Sequence, residues 1–183
     1  VNHAPAFFDL KKLEWMNKEY LRAMPVDAFV DAAQPWLTPD RVPWPPERFD
    51  PAVFRAMAPL VQERIGVLGQ VPEMVDFLFR EEPLVDEDSW EAVVKDEAAP
   101  AVLDGALALY GECEWTAEVL HVATQGLADG MGRKLNKVQV PIRVAVTGRR
   151  VGPPLFQSLE VLGREAVVER LRGARQRLEA ATG

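Results

Sequence analysis

The sequence holds one cysteine, Cys113, two histidines, His3 and His121, and two serines, Ser89 and Ser158. A single cysteine excludes an internal disulfide framework and fits a reducing, cytoplasmic compartment. In a helix-rich chain such a residue is expected to be buried and inert. A nucleophile with its base has almost nothing to draw on here, and both histidines lie far from either serine in sequence. A metal site built from His and Cys would lack ligands. No apolar run approaches the ~20 residues that cross a bilayer. Lys11 and Lys12 precede no apolar core of a signal peptide. Two short motifs are also incomplete. Asp86-Glu87-Asp88 lacks the alternating oxygen ligands and central glycine of a calcium loop and reads instead as the acidic start of a helix. Gly130-Met131-Gly132 lacks the third glycine and the preceding strand of a nucleotide fingerprint and reads as a turn. No active site is visible.

What is present is a foldable, unevenly charged chain. Of 183 residues, 48% are hydrophobic and 27% charged, which suits one large domain or two small ones with a packed core. The formal net charge of -7 argues against a nucleic-acid partner, because phosphate binding usually shows as a basic surplus. The average conceals a polarity along the chain. Between Glu73 and Glu118 there are fourteen acids against two bases, and between Arg133 and Arg177 eleven bases against Glu160, Glu165 and Glu169. Two readings are open: ordinary solvated faces, or a basic docking surface for a polyanion with the acids facing elsewhere.

The periodicity is helical almost throughout, and the fold class expected is all-α, in two helical subdomains. Asp9 suits the N-cap of a helix reaching Met24, stopped by Pro25. A second helix is expected near Val26 to Leu37, then an ordered, proline-rich loop from Thr38 to Pro51. Asp50-Pro51 opens a third helix to Arg64, which Pro59 should kink or split. Pro72-Glu73 starts another through Phe79, and the acidic linker Glu81-Glu82-Pro83 places a subdomain boundary near residue 80, giving units 1–80 and 81–183. Further helices are expected from Trp90 with Ser89 as cap, over Ala98 to Tyr110, and over Ala117 to Leu127. Val138 to Val146 is ambiguous, its β-branched residues favouring a strand while Val140, Val144 and Thr147 keep helical spacing. Pro153-Pro154 open a helix, Gly163 marks a joint, and Val167 or Val168, Leu171, Ala174 and Leu178 form the apolar stripe of the last helix. The five tryptophans read as packing residues, with no spacing that makes a base-stacking ladder. His121, between Leu120 and Val122, reads as structural.

Two segments resemble bacterial glutamyl-tRNA synthetases. The first runs from Phe8-Asp9-Leu10-Lys11-Lys12-Leu13-Glu14-Trp15-Met16-Asn17 to Arg22. It is similar to the helix that follows the catalytic region in that family. The second is Pro141-Ile142-Arg143-Val144-Ala145-Val146-Thr147-Gly148, continued by Gly152-Pro153-Pro154-Leu155-Phe156-Gln157-Ser158-Leu159 to Glu165, and it resembles the family's C-terminal signature. Ala58 to Ile65 and Trp115-Thr116 fall between them in familiar order. The chain starts at Val1 rather than Met, which suggests a piece of a longer protein.

The resemblance implies a two-part, all-helical anticodon-binding region of a glutamate–tRNA ligase, monomeric and cytoplasmic. Its partner would be the anticodon stem-loop of tRNA(Glu). ATP and magnesium would be used by a Rossmann-type catalytic domain whose signatures do not occur here, so this chain alone should hold no cofactor and aminoacylate nothing. Carried over residue by residue, Arg143, Gly152, Pro153, Leu155 and Phe156 would contact the second and third anticodon bases. Arg55 would read the first, and were Ala56 in that place by a one-residue shift of register, discrimination there would be weakened. Arg149, Arg150, Arg133, Lys134 and Lys137 would meet phosphates. The turn from Thr147 to Phe156 has suitable ingredients for unstacked bases: a stiff proline corner, an apolar face and guanidinium donors. As residues alone, Leu155 and Phe156 also suit a core, and Arg143 an internal ion pair. A helical protein-interaction module and the anticodon-binding region of a class I lysyl-tRNA synthetase are the alternatives.

Overall fold

The computed structural model describes residues 9–182, among which every regular element is helical. Phe8 and His3 lie outside the described residues. The first four helices are α1 (Leu10–Ala23), α2 (Val26–Ala33), α3 (Pro51–Gln62) and α4 (Val71–Phe79). After a linker come α5 (Glu87–Val94), α6 (Ala99–Glu112), α7 (Ala117–Gly130), α8 (Leu135–Thr147), α9 (Leu155–Leu162) and α10 (Arg164–Thr182).

Local chemistry sets the helix starts. The Asp9 carboxylate accepts from the Lys12 backbone N–H at 3.2 Å, and Asp50 accepts from Ala52 N at 2.8 Å ahead of Pro51. Each satisfies donors that a helix leaves orphaned. α5 begins three residues before the expected Trp90, because Asp86 rather than Ser89 is its cap. The Asp86 carboxylate accepts from both Ser89 N, at 2.9 Å, and Ser89 Oγ, at 2.6 Å. Thr116 caps α7. α2 is shorter than expected, giving way to a 3₁₀ turn at Gln34–Trp36.

Pro59 lies inside α3 without splitting it, and Pro141 lies inside α8. The ambiguous stretch is helical. Val138, Ile142, Ala145 and Val146 are buried because α8 packs against α5, α6, α7 and α10 together. A helix covered on most sides reads as apolar all round, which blurs its 3.6-residue signal.

The buried side chains form two cores. One contains Phe29, Phe54, Met57, Val61, Ile65 and Phe77 of the first four helices and their loops, with Trp44 of the proline-rich segment tilted on Phe79. The other gathers Leu103, Tyr110, Leu120, Ile142, Leu159, Leu171 and Leu178. Each such fully buried side chain contributes about 1.5–3 kcal/mol relative to an exposed one. Val161 and Leu162 of α9 reach across and pack against the first core.

The linker between the cores is held tightly. Gly148, with φ of 81°, ends α8, and a Cβ there would sit 2.0 Å from the Leu84 carbonyl oxygen. Asp86 N donates to Gly148 O at 2.9 Å. Arg170 of α10 is 8% exposed. Its guanidinium donates to Val146 O at 2.8 Å and Arg80 O at 2.7 Å, joining α8, α10 and the linker. Burial holds its pKa down to about 10.

Candidate functional site

The turn from Gly148 to Pro154 joins α8 to α9 and faces the first four helices. Three sets of bonds fix its first half. Arg149 N donates to Thr147 Oγ1 at 3.4 Å. Arg150 N donates to Ser89 Oγ at 3.2 Å. Arg149 forms a two-pronged bond with the Asp76 carboxylate at 2.9 and 2.8 Å, with Glu73 at 3.4 Å beside it. Its second half is left as the wall of an open hollow of about 550 Å³.

That hollow is lined by Lys18 and Arg22 of α1, Leu60, Glu63 and Arg64 at the end of α3, Met74 of α4, and Val151, Gly152 and Pro154 of the turn. It is therefore composite, drawing walls from both halves of the chain. Arg22 is partly neutralised, with Glu63 Oε2 at 3.6 Å and Glu19 Oε1 at 3.3 Å. Arg64 is exposed. Arg143 stands behind the turn, half-buried, its Nη1 donating to Pro153 O at 2.7 Å and lying 3.6 Å from where a Gly152 Cβ would be. Burial, and then the charge of Arg64, lower its pKa. Among the described residues no carboxylate pairs with it. Two neighbouring cations, one of them half-desolvated, leave donors and positive charge for an acceptor-bearing ligand, while Leu60, Met74, Val151 and Pro154 add apolar surface.

The sequence-based assignments divide sharply here. Gly152 and Pro154 border the hollow, and Arg143 backs it. Pro153 is buried and presents its carbonyl to Arg143. Leu155 and Phe156, expected as base contacts, are instead core residues at 3% and 8% exposure. His121 stacks on the Phe156 ring, with centroids 4.9 Å apart. Arg55 does not line the hollow. It is nine residues from Arg64, half a helical revolution at 100° per residue, and forms an ion pair with Asp27 of α2.

The phosphate candidates divide as well. Arg149 is committed to Asp76, which is 1% exposed. Arg133 is bidentate on Asp96 at 2.9 and 3.0 Å. A phosphate would have to displace a carboxylate from each. Arg150, Lys134 and Lys137 are exposed. Part of the charge polarity is thus spent within the chain: Arg133, Arg149 and Arg175 of the basic stretch pair with Asp96, Asp76 and Asp104 of the acidic one.

Lys18, Arg22 and Arg64 were missed by the motif reading. Their signals were the four-residue step between Lys18 and Arg22 on one face of α1, and an arginine just past the apolar face of α3. Another cleft, of about 650 Å³, lies between the linker and α10. Its walls balance Glu81, Glu82 and Glu169 against Arg170, Arg172 and Arg177, whereas Lys18, Arg22 and Arg64 outnumber Glu63 in the first. Cys113 is half-buried, and its carbonyl accepts from Arg164. Among the described residues no helix is long and apolar enough to cross a membrane.

Residues 28–175 match the family model described as an anticodon binding domain. The chain is 49% identical over 183 residues to a glutamate–tRNA ligase of Thermobifida fusca, covering 99% of this chain and 38% of the relative. It is 51% identical to that of Salinispora arenicola, covering 97% and 39%. It thus spans about two fifths of the length of these relatives. A crystal structure of a glutamate tRNA ligase from Elizabethkingia meningosepticum in complex with its amino acid matches with a TM-score of 0.73 at 22% identity, over 97% of this chain and 34% of that one, and so shows the same helical fold.

Proposed function

The chain belongs to the anticodon binding domain family, and from that premise we propose that it recognises the anticodon of tRNA(Glu) as the C-terminal part of a glutamate–tRNA ligase. Glutamate activation with ATP and magnesium, and transfer to the tRNA, belong in this reading to the remainder of the longer enzyme. The chain alone binds RNA in the cytoplasm, as a monomer, and charges none. The observation that carries the reading is the pair Arg143 and Arg64 beside the apolar, open hollow at the α8–α9 turn.

The chemistry follows from what an anticodon offers. Its bases are splayed out of the stack and present carbonyl oxygens and ring nitrogens at their edges. Guanidinium forks satisfy such acceptors in a fixed plane, and an ammonium does not. Leu60, Met74, Val151 and Pro154 supply flat apolar contact for base faces. A well-placed bidentate base contact is worth about 1–3 kcal/mol of discrimination, so one arginine changes base preference roughly tenfold to a hundredfold.

The test is titration of labelled anticodon stem-loops with the chain and with Arg143→Ala and Arg64→Ala variants. The expected result is preference for the glutamate anticodon over single-base variants, reduced by each substitution. Equal binding of all stem-loops by the parent chain would refute the reading, and would leave a protein-interaction role as the better account.

A further inference from the structure

The hollow has one wall from each half of the chain, so its width depends on how the halves are held. Met74 lies two residues before Asp76 on α4, and Val151 and Gly152 lie two and three residues after Arg149. The two-pronged Arg149–Asp76 bond, at 2.9 and 2.8 Å, therefore ties the two walls together about half a helical turn along α4 from Met74. Asp76 is 1% exposed, and the Arg149 side chain 22%. This is a fixed joint rather than a surface contact. A planar fork on a carboxylate restricts angle as well as distance.

We propose that Asp76 and Arg149 are positioning residues for base recognition, setting the separation of the α4 wall and the Val151–Pro154 rim. The proposal rests on the anticodon reading and deepens it. Neither side chain touches the bases, and neither offers a free charge to phosphate. Removing the pair therefore loosens selection among bases and leaves non-selective RNA binding in place. The halves stay docked without it, because Val161 and Leu162 remain packed on the first core.

The experiment compares the parent chain with the double variant Asp76→Ala/Arg149→Ala, which removes both ends of the clamp. The single variant Asp76→Asn serves if the double variant does not fold. Two quantities are read: amide hydrogen exchange across residues 148–154, and affinity for the glutamate anticodon stem-loop and a single-base variant as salt is varied. The expected outcome is faster exchange in the turn, with α6 and α7 unchanged. Base preference should fall by tenfold or more with the same salt slope. Unchanged exchange in the turn overturns the clamp itself. Faster exchange with base preference intact overturns the positioning role. A parent chain without any base preference refutes the anticodon reading and the positioning role with it, and the exchange data tell that failure apart from a failure of the clamp.

Discussion

Gly148→Ala is the substitution whose cost follows most directly from the geometry. Gly148 adopts φ of 81° at the end of α8, a left-handed conformation that costs an L-residue roughly 1–2 kcal/mol. The added Cβ would also stand 2.0 Å from Leu84 O and 2.6 Å from Leu84 C. Those are backbone atoms, so no side-chain rotation relieves the clash, and the linker must withdraw by more than about 1 Å, an overpacking of the kind that costs typically 1–3 kcal/mol. That movement removes the 2.9 Å bond from Asp86 N to Gly148 O, worth about 1 kcal/mol. Together these give a destabilisation of about 3–6 kcal/mol, a large share of the ~5–15 kcal/mol typical of a folded domain. Urea unfolding followed by circular dichroism measures it. Gly132→Ala is the control, since Gly132 also has positive φ, at 63°, but a Cβ there meets nothing within 4 Å. It should lose only the conformational part. Equal losses in the two variants would show that the close approach to Leu84 contributes nothing.

Three further outcomes are expected. Arg150 is exposed, so Arg150→Ala should lower the slope of log affinity against log salt by about one; an unchanged slope removes it from the phosphate path. Burial pushes the Tyr110 hydroxyl well above its ordinary range, and unfolded tyrosine ionises near 10. The native state therefore keeps a proton that the unfolded chain releases, and stability should fall as pH rises past about 10. Tyr110→Phe should flatten that alkaline limb in pH-dependent urea titrations, at a loss of about 1 kcal/mol at neutral pH from the bond to Thr124. Burial alone would raise the Asp96 pKa, but hydrogen bonds from Arg133 and Ala98 outweigh it and hold the carboxyl below its ordinary range. Its contribution should be complete above about pH 4 and be lost as pH falls through the depressed value, and Asp96→Asn should remove that part of the acid transition.

Much of the architecture was legible because helix boundaries are written locally. Asp9, Asp50 and Thr116 sit where their side chains can reach backbone N–H groups, and Pro25, Gly148 and Gly163 sit where a helix must stop. The displaced cap at Asp86 shows the limit of such reading. Asp86 and Ser89 both suit a cap, and only the bond from Ser89 Oγ to the Asp86 carboxylate, with Arg150 N on the same hydroxyl, decides between them. α8 was ambiguous because burial on most sides erases the periodicity that separates helix from strand. The candidate site was legible only as a neighbourhood. The sequence singles out the turn, but burial of Leu155 and Phe156 depends on α7 and His121 arriving from another part of the chain. The pairings of Arg133 and Arg149 depend on acids 37 and 73 residues away. Long-range partners leave no mark in a local pattern.

In the proposed reading, the ion pairs within the scaffold account for how a chain of net charge -7 serves an RNA. Had the eleven bases of the second half stood free on one face, phosphate attraction would dominate, and phosphates carry no sequence information. Asp76, Asp96 and Asp104 instead hold three of those arginines in the scaffold, where their charge fixes helix placement. Arg170 is likewise spent on backbone carbonyls. What remains at the hollow is a small number of donors without carboxylate partners, Arg143 and Arg64 foremost, beside apolar walls. In the proposed reading such a site favours RNA that places a base in it, because base edges satisfy its uncommitted guanidinium donors, and selectivity comes from those contacts rather than from phosphate attraction.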